Sequence, residues 1–472
     1  MGVLSYAAPL KWAWLTVMEF TKADTTNLVT REIEPKATGD RRNRSDTTLA
    51  RKGSSSSLTW EDVAKHNSVN DCWVVIRGKV YDVTEFGRVH PGGRVIYLQG
   101  GRDATEVFST FHSKSTWSML EGLHVGDLVD DQDGSEIIRD FRRLRMEFTK
   151  QGLFKSSKAY YAYKLLGNLA ILATAITVLL ASSGAWLGLV ASAFLLGLFW
   201  QQCGWLAHDF LHHQVFSNRW WNNAFGYLVG NVFQGFSVDW WKSKHNTHHA
   251  VPNEFHEDIG AMDPDIDTLP LLAWSTDMVD SITDATSRAM IRVQHYIFFP
   301  ILMLARISWA QQSISHACRI TSTMPKKGWV EVALLAVHYA WYVGLAFLAL
   351  PPLKAVLYLL LSQSLCGFML GIAFVQSHNG MEVYCDVKDF VTAQVVSTRD
   401  IAHNAWVHWF MGGLNYQIEH HLFPSMPRHN LMKIQEPIKA LCKKHDLPFE
   451  ECDMVTGTKR VIGRLIEVSK YA

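Results

Sequence analysis

Gly184–Trp200 (GAWLGLVASAFLLGLFW) runs on through Gln201-Gln202-Cys203-Gly204-Trp205-Leu206-Ala207 into His208-Asp209-Phe210-Leu211-His212-His213. An apolar run close to the ~20 residues of a spanning helix is thus followed by histidines at a polar edge. Two more clusters follow: His245-Asn246-Thr247-His248-His249 and Gln417-Ile418-Glu419-His420-His421. His208 and His212 are four apart and share a helical face, and His245 pairs with His248 and His249 in the same way. Neutral imidazole is a good ligand for iron, copper, nickel and zinc. Three convergent clusters supply nitrogens for two metal ions. The pattern predicts redox metal chemistry at the surface of an all-α membrane domain.

Working outward, Tyr163–Ser182 precedes the first run, and Trp329–Leu350 and Ala355–Gln376 form a second apolar pair. The tips, Ser182-Ser183-Gly184 and Pro351-Pro352-Leu353-Lys354, are nearly free of Lys and Arg, so they are expected to face away from the cytosol. All three clusters then face it. Ala224–Phe236 and His295–Ala305 are shorter, the latter stopping at Arg306, and read as helices lying in the interface. Parity agrees, because an even number of spans must separate the second and third clusters if they share a side. Four spans are expected. His378, in Gln376-Ser377-His378-Asn379-Gly380, ends the fourth and can reach the same side. Asp209 and Glu419 are expected to orient imidazoles. Gln417 stands where a matching first histidine would be. His213 points off the His208/His212 face, and His256, His295, His316, His338, His403, His408 and His429 are read as non-ligands, His338 at mid-span.

The 472 residues suggest two to three domains. Net charge is +1, which implies no nucleic-acid partner. Aromatics make up 12% with 18 Trp, suited to interfacial belts. Seven Cys form no CxxC pair, so neither a disulfide framework nor a Cys-based zinc site is indicated. Residues 1–57 read as a disordered leader, polar and ending in SSSS. Residues 58–128 read as a small α+β domain, 129–162 as a charged helical connector with a solvated basic face, and 163–472 as the membrane domain with a cytosolic histidine-rich cap.

In 58–128, Trp73–Ile76, Arg77-Gly78 and Val80–Val83 read as a hairpin. His90-Pro91-Gly92-Gly93 lets the backbone approach a flat cofactor, and His112 follows a short helix, Glu106–Phe111. Two histidines facing one another can clamp haem iron, leaving no open position for O2 and so favouring electron transfer. Trp73-Val74-Val75, Lys79-Val80-Tyr81-Asp82-Val83, His90-Pro91-Gly92-Gly93 and Asp103-Ala104-Thr105 resemble cytochrome b5 across the whole segment. The resemblance implies one b-type haem on His90 and His112, with His124 a surface residue.

The three clusters in this order, with Gln opening the third and a haem domain in front, resemble the front-end fatty acyl desaturases. Gln201–Ala207, Trp240-Trp241-Lys242, Asp263-Pro264-Asp265-Ile266-Asp267 and Gly412-Gly413-Leu414-Asn415-Tyr416 resemble the delta-6 members of fungi and algae. The resemblance implies two iron ions held by His208, His212, His245, His248, His249, His378, His420 and His421, with Gln417 binding through a water or tuning substrate choice. It implies electrons from NADH through cytochrome b5 reductase, O2 as oxidant, and a cis double bond at carbon 6 of unsaturated C18 acyl chains such as linoleoyl and alpha-linolenoyl. The carrier is CoA or a phospholipid, and the setting is the endoplasmic reticulum membrane, among its lipids. Trp205, Gln376, Asn379 and Asn415, near the clusters, are candidate acyl-tunnel residues. Delta-8, delta-5 and sphingoid-base desaturases share the architecture. A membrane-tethered haem electron carrier with inert histidines is the alternative of another class, and a zinc hydrolase leaves the haem domain without work.

Overall fold

The computed structural model describes residues 56–129 and 134–472. The expected leader lies outside them save for Ser56 and Ser57, which pair with Gly126 and Asp127. Among the described residues the first domain holds five strands, β1 (Ser56–Leu58), β2 (Asn67–Ser68), β3 (Asp71–Ile76), β4 (Lys79–Asp82) and β5 (His124–Leu128), in the order β1-β5-β4-β3-β2. The β3–β4 hairpin turns on Arg77 and Gly78, both with positive φ, the two-residue turn whose twist suits a hairpin. Val74, Ile76, Tyr81, Val83 and Phe108 close the core beneath it. Helix α1 (Trp60–Ala64) starts on a Thr59/Asp62 capping box, and α2 (Thr105–Phe111) delivers His112 at its carboxyl end.

The connector is α3 (Glu136–Lys150). Its Ile137, Ile138, Phe141 and Phe148 recur at helical spacing and pack into the carboxy-terminal cap, with Phe141 stacked 5.1 Å from Phe423. Its basic face is not simply solvated as expected. Arg142 Nε donates to Glu106 Oε1 at 2.6 Å and Arg145 to the Ser109 carbonyl at 2.9 Å. Those two contacts tie the connector to α2.

Among the described residues four helices are long and apolar enough to cross a membrane: α4 (Lys158–Ala181), α5 (Trp186–Leu211), and, farther along, Pro325–Ala349 and Pro352–Ser377. Between the pairs, α6 (Arg219–Gly226) passes into a π-helix (Tyr227–Gln234), followed by α7 (Val238–Ala250), α8 (Ala285–Arg292) and α9 (Gln294–Thr323). The second pair is α10 (Pro325–Ala349) and α11 (Pro352–Ser377), and the cap includes α12 (Phe390–Val396), α13 (Gln417–Leu422) and α14 (Met454–Ser469).

Arg306 does not stop a helix, as the sequence suggested; α9 carries on for 30 residues through it. The guanidinium is buried over the Trp200 ring at 4.0 Å and donates to Gln363 Oε1 at 2.7 Å and to the Gln234 carbonyl. A π-turn frees carbonyls of this kind, and His338 and Trp341 serve Val232 in the same way at 3.0 and 2.9 Å. By length alone α8 and α9, bent by 92°, could form a fifth span. Their contacts indicate a lateral course. Gln294, at one end of α9, bonds Leu465 on α14, and His316, near the other, bonds Asp239 on α7. Because α10 departs from where α9 ends and α11 returns to His378, α9 begins and ends on the histidine side.

Candidate metal centre

Four elements bring the histidines together. The last turn of α5 carries His208 and its cap His212; α7 carries His245, His248 and His249; His378 caps α11; α13 carries His420 and His421. They sort into two groups, His208/His212/His245/His249/His420 and His248/His378/His421, with the ligand atoms of each within 4.8 Å of one another. His213 falls in neither group; its φ is positive and its buried Nδ1 has no partner.

The three-histidine group has a defined tautomer. His248 Nδ1 donates to Asp263 Oδ2 at 2.9 Å, His378 Nδ1 to the Ser397 carbonyl at 3.1 Å, and His421 Nδ1 to Gln394 Oε1 at 2.7 Å. A neutral imidazole has one proton, so these bonds leave Nε2 lone pairs facing one another: His248 lies 3.3 Å from His378 and 3.2 Å from His421. Lone pairs at that range repel unless a cation sits among them. Burial opposes charge on His248, yet Asp263 and Asp265 outweigh it and raise its pKa to about 9. The pocket therefore attracts positive charge, a proton if nothing else.

In the five-histidine group, Nε2 atoms meet at 2.8 Å (His212–His245), 3.1 Å (His208–His420 and His245–His249) and 3.2 Å (His249–His420). Nitrogens about 2.1 Å from one ion and at right angles stand roughly 3 Å apart, so the spacing fits neighbouring ligands of a single metal. Burial, then the neighbouring rings, push His212, His245 and His249 well below the ordinary imidazole pKa, so they are neutral and available.

The surrounding residues differ partly from expectation. Asp209 does lie by His208 Nδ1, at 3.4 Å, and is also paired with Arg428. Glu419 orients no imidazole. It is buried against Asp400, and burial first, then Asp400, raise its pKa far above the carboxylate range, while Asp400 rises to about 6. The orienting groups are instead Asp263, Gln394 and the Ser397 carbonyl. Asp263 falls in the acidic run Asp263–Asp267 after the second cluster, which is its one signal in the sequence. Gln417 Nε2 lies 2.9 Å from His378 Nε2. The candidate tunnel residues each carry hydrogen bonds: Trp205 Nε1 bonds the Phe410 carbonyl, Gln376 bonds Thr458, and Asn415 bonds His408 and the Ile401 carbonyl. Asn379 is buried, its carbonyl accepting from Arg399.

In the first domain, the His90 and His112 rings face each other with centroids 5.8 Å apart. Each Nδ1 bonds a backbone carbonyl, Gly93 at 3.1 Å and Phe108 at 3.0 Å, leaving Nε2 for a metal between them. Burial lowers both pKa values, keeping the rings neutral. Gly93 has φ +73, and a Cβ at Gly92 would lie 2.8 Å from His90 Cε1, so the two glycines shape the loop that presents His90. These residues fit a bis-histidine haem. His124 bonds Asp127 at the domain surface.

Comparison with known proteins matches residues 184–452 to the family model for fatty acid desaturase and residues 59–129 to that for the cytochrome b5-like heme/steroid binding domain. The chain belongs to the fatty acid desaturase family. It is 47% identical to an acyl-lipid (9-3)-desaturase of Physcomitrium patens, over 87% of this chain and 78% of that one. It is 36% identical to a delta(8)-fatty-acid desaturase of Euglena gracilis over 79% and 89%, and 33% identical to the delta(6)-fatty-acid desaturase fat-3 of Caenorhabditis elegans over 83% and 95%. The desaturase is thus of the front-end kind, with a cytochrome b5 domain ahead of a membrane-spanning desaturase domain.

Proposed function

We propose that this desaturase places a cis double bond at carbon 6 of unsaturated C18 acyl chains, linoleoyl and alpha-linolenoyl among them. The observation that carries the position is the 47% identity to the (9-3)-desaturase of Physcomitrium patens; a second (9-3)-desaturase and the delta(6) relative, both at 33%, fall within the 32–36% of the delta(8) relatives. Carbon 9 less three is carbon 6. His208, His212, His245, His248, His249, His378, His420 and His421 would hold two iron ions, and His90 and His112 a b-type haem. Iron held there would supply O2 reduction and the oxidising power to remove two hydrogens from adjacent methylenes. The overall balance is one CH2–CH2, one O2, two electrons and two protons going to one CH=CH and two waters.

The chain's own residues prepare this chemistry. Asp263, Gln394 and Ser397 hold protons at Nδ1 and so direct lone pairs inward from three rings. Seven of the eight imidazoles are buried and His245 is half-buried, which restricts bulk water at a site that handles a strong oxidant. The apolar helices beneath accept a chain that offers no polar handle at the reacting carbons. The desaturase sits in the endoplasmic reticulum membrane with both metal sites facing the cytosol, takes electrons from NADH through cytochrome b5 reductase, and acts on acyl groups of CoA or phospholipid.

Expression in yeast fed linoleic and alpha-linolenic acids, with double-bond location by gas chromatography, tests the position. New gamma-linolenic and stearidonic acids, absent with His248→Ala, are expected. A new bond at carbon 8 instead would overturn carbon 6 and leave the chemistry in place.

A further inference from the structure

The haem domain is docked onto the histidine centre by a set of polar contacts, all but that of Arg219 buried or half-buried. Arg102 grips Glu254 with two bonds, 2.8 and 3.1 Å, and Glu254 is almost wholly buried. Gln99 Nε2 reaches the Ala250 carbonyl at 3.4 Å, one residue after His249. Three arginines converge on α2, the helix that ends in His112. Arg142 takes Glu106, Arg145 the Ser109 carbonyl, and Arg219 of α6 the Phe111 carbonyl at 3.1 Å. The last two satisfy carbonyls at the negative end of the helix, where cations are favoured. The carboxyl end of α2 is thereby fixed against the membrane domain.

What that docking brings into contact is Phe111. It is the chain neighbour of His112, and its ring stands edge-on to His249 with centroids 6.4 Å apart. His249 belongs to the five-histidine group. Phe111 is therefore joined to the haem ligand His112 by a peptide bond and to a residue of the five-histidine group by its ring.

We propose that Phe111 is the bridge by which electrons pass from the His90/His112 haem site to the five-histidine pocket, and that the Arg102–Glu254 pair holds it in register. Each passage oxidises ferrous haem by one electron and reduces a metal ion in the five-histidine pocket by one; two passages supply the two electrons of the desaturation balance. The route runs from His112 through one peptide bond to Phe111 and then across a single ring contact to His249, a shorter tunnelling path than one through solvent. Fusion alone would give an effective concentration of order mM; the arginine contacts convert that encounter into a fixed pose. The proposal rests on the haem and two-iron reading above.

The test uses the full chain, purified with haem and iron content measured. Wild type, Phe111→Leu, Phe111→Trp and Arg102→Glu are compared, the last also with Glu254→Arg. Haem is reduced without oxygen, then mixed with O2 and an acyl substrate, and its reoxidation is followed by absorbance. Hydrogen exchange of residues 105–111 reports docking, and haem spectrum and midpoint potential report the haem pocket. Phe111→Leu is expected to slow reoxidation by an order of magnitude or more with spectrum, potential, iron content and exchange unchanged, and Phe111→Trp to restore the rate. Arg102→Glu is expected to lose both exchange protection and rate, and the charge-swapped pair to regain them. Wild-type reoxidation in Phe111→Leu with iron present overturns the bridge alone, as does a slow Phe111→Trp. Unchanged protection in Arg102→Glu overturns the role of the latch. A chain that binds haem but no iron overturns the metal reading and the bridge together.

Discussion

Replacing Asp263 with Asn isolates one pocket of the centre. Asp263 Oδ2 accepts His248 Nδ1–H at 2.9 Å and the Asn253 N–H at 2.8 Å, while Oδ1 accepts the Asp265 N–H at 2.8 Å. An amide has one oxygen, so its NH2 must face a donor in either orientation, at a cost of roughly 1–3 kcal/mol in a buried site. The larger effect is on metal binding. Loss of the carboxylate makes His248 a weaker base, and removal of such an orienting partner costs about 10- to 100-fold in metal affinity, or roughly 1.4–2.8 kcal/mol. Only His248 of the three-histidine group touches Asp263, so that pocket should empty first. The assay is iron per chain after dialysis against graded chelator, with Asp265→Asn as the control. Asp265 is 3.6 Å from His248 and its side chain is 47% exposed, so its loss should matter less. There is a pH signature as well. In the metal-free protein His248 is raised from 6.5 to about 9, so the stability it lends is full below 6.5 and disappears as pH rises through about 9. Iron must displace that proton, and wild-type iron affinity should climb with pH until about 9. In Asp263→Asn this climb should end at lower pH. Equal chelator resistance in wild type and Asp263→Asn would refute the role given to Asp263.

Three further outcomes follow from other contacts. A Cβ on Gly367 would lie 2.8 Å from the Met303 carbonyl and 3.0 Å from that of Leu302, whereas Gly344 has nothing within 4 Å; Gly367→Ala should cost about 1–3 kcal/mol by overpacking and lower the melting temperature in detergent, with Gly344→Ala close to neutral. The Asp400/Glu419 pair, both raised by burial, stabilises the fold when protonated; that contribution is full below the ordinary carboxylate range and is lost as pH rises through about 6 for Asp400 and higher for Glu419. Glu419→Gln should therefore flatten the fall in melting temperature above pH 6. His112→Ala should abolish the haem absorbance of the purified chain, and His124→Ala should leave it intact.

The histidine clusters were legible because four-residue spacing on a helix places rings on one face whatever the tertiary structure. The same logic shows why Glu419 misled. It precedes His420, yet adjacent helical residues point about 100° apart, and its side chain turns to Asp400. Asp263 is 15 residues beyond His248 on a loop that reverses at Asn253, φ 56, and no spacing rule forecasts that return. Arg306 read as a terminator because a charge in an apolar helix needs partners, and its partners come from the π-helix, α5 and α11. The basic face of α3 read as solvated because the haem domain that covers it lies earlier in the chain. What stayed illegible in each case was the partner rather than the residue.

The two pockets also differ in charge, and this bears on the direction of electron flow. Asp209, beside His208, is neutralised by Arg428, which donates to it and to the Gly412 and Trp205 carbonyls. Asp263, beside His248, has no cation among its described partners other than His248 itself. A fixed negative charge stabilises the more oxidised state of a nearby metal. The three-histidine pocket should thus hold iron at lower potential, and the five-histidine pocket should accept the first electron. The latter is also the pocket that Phe111 reaches. Potentiometric titration with Mössbauer detection of each site tests this: the five-histidine site should reduce first in wild type, and Asp263→Asn should narrow the gap. Reduction of the three-histidine site first would show that charge does not set the order.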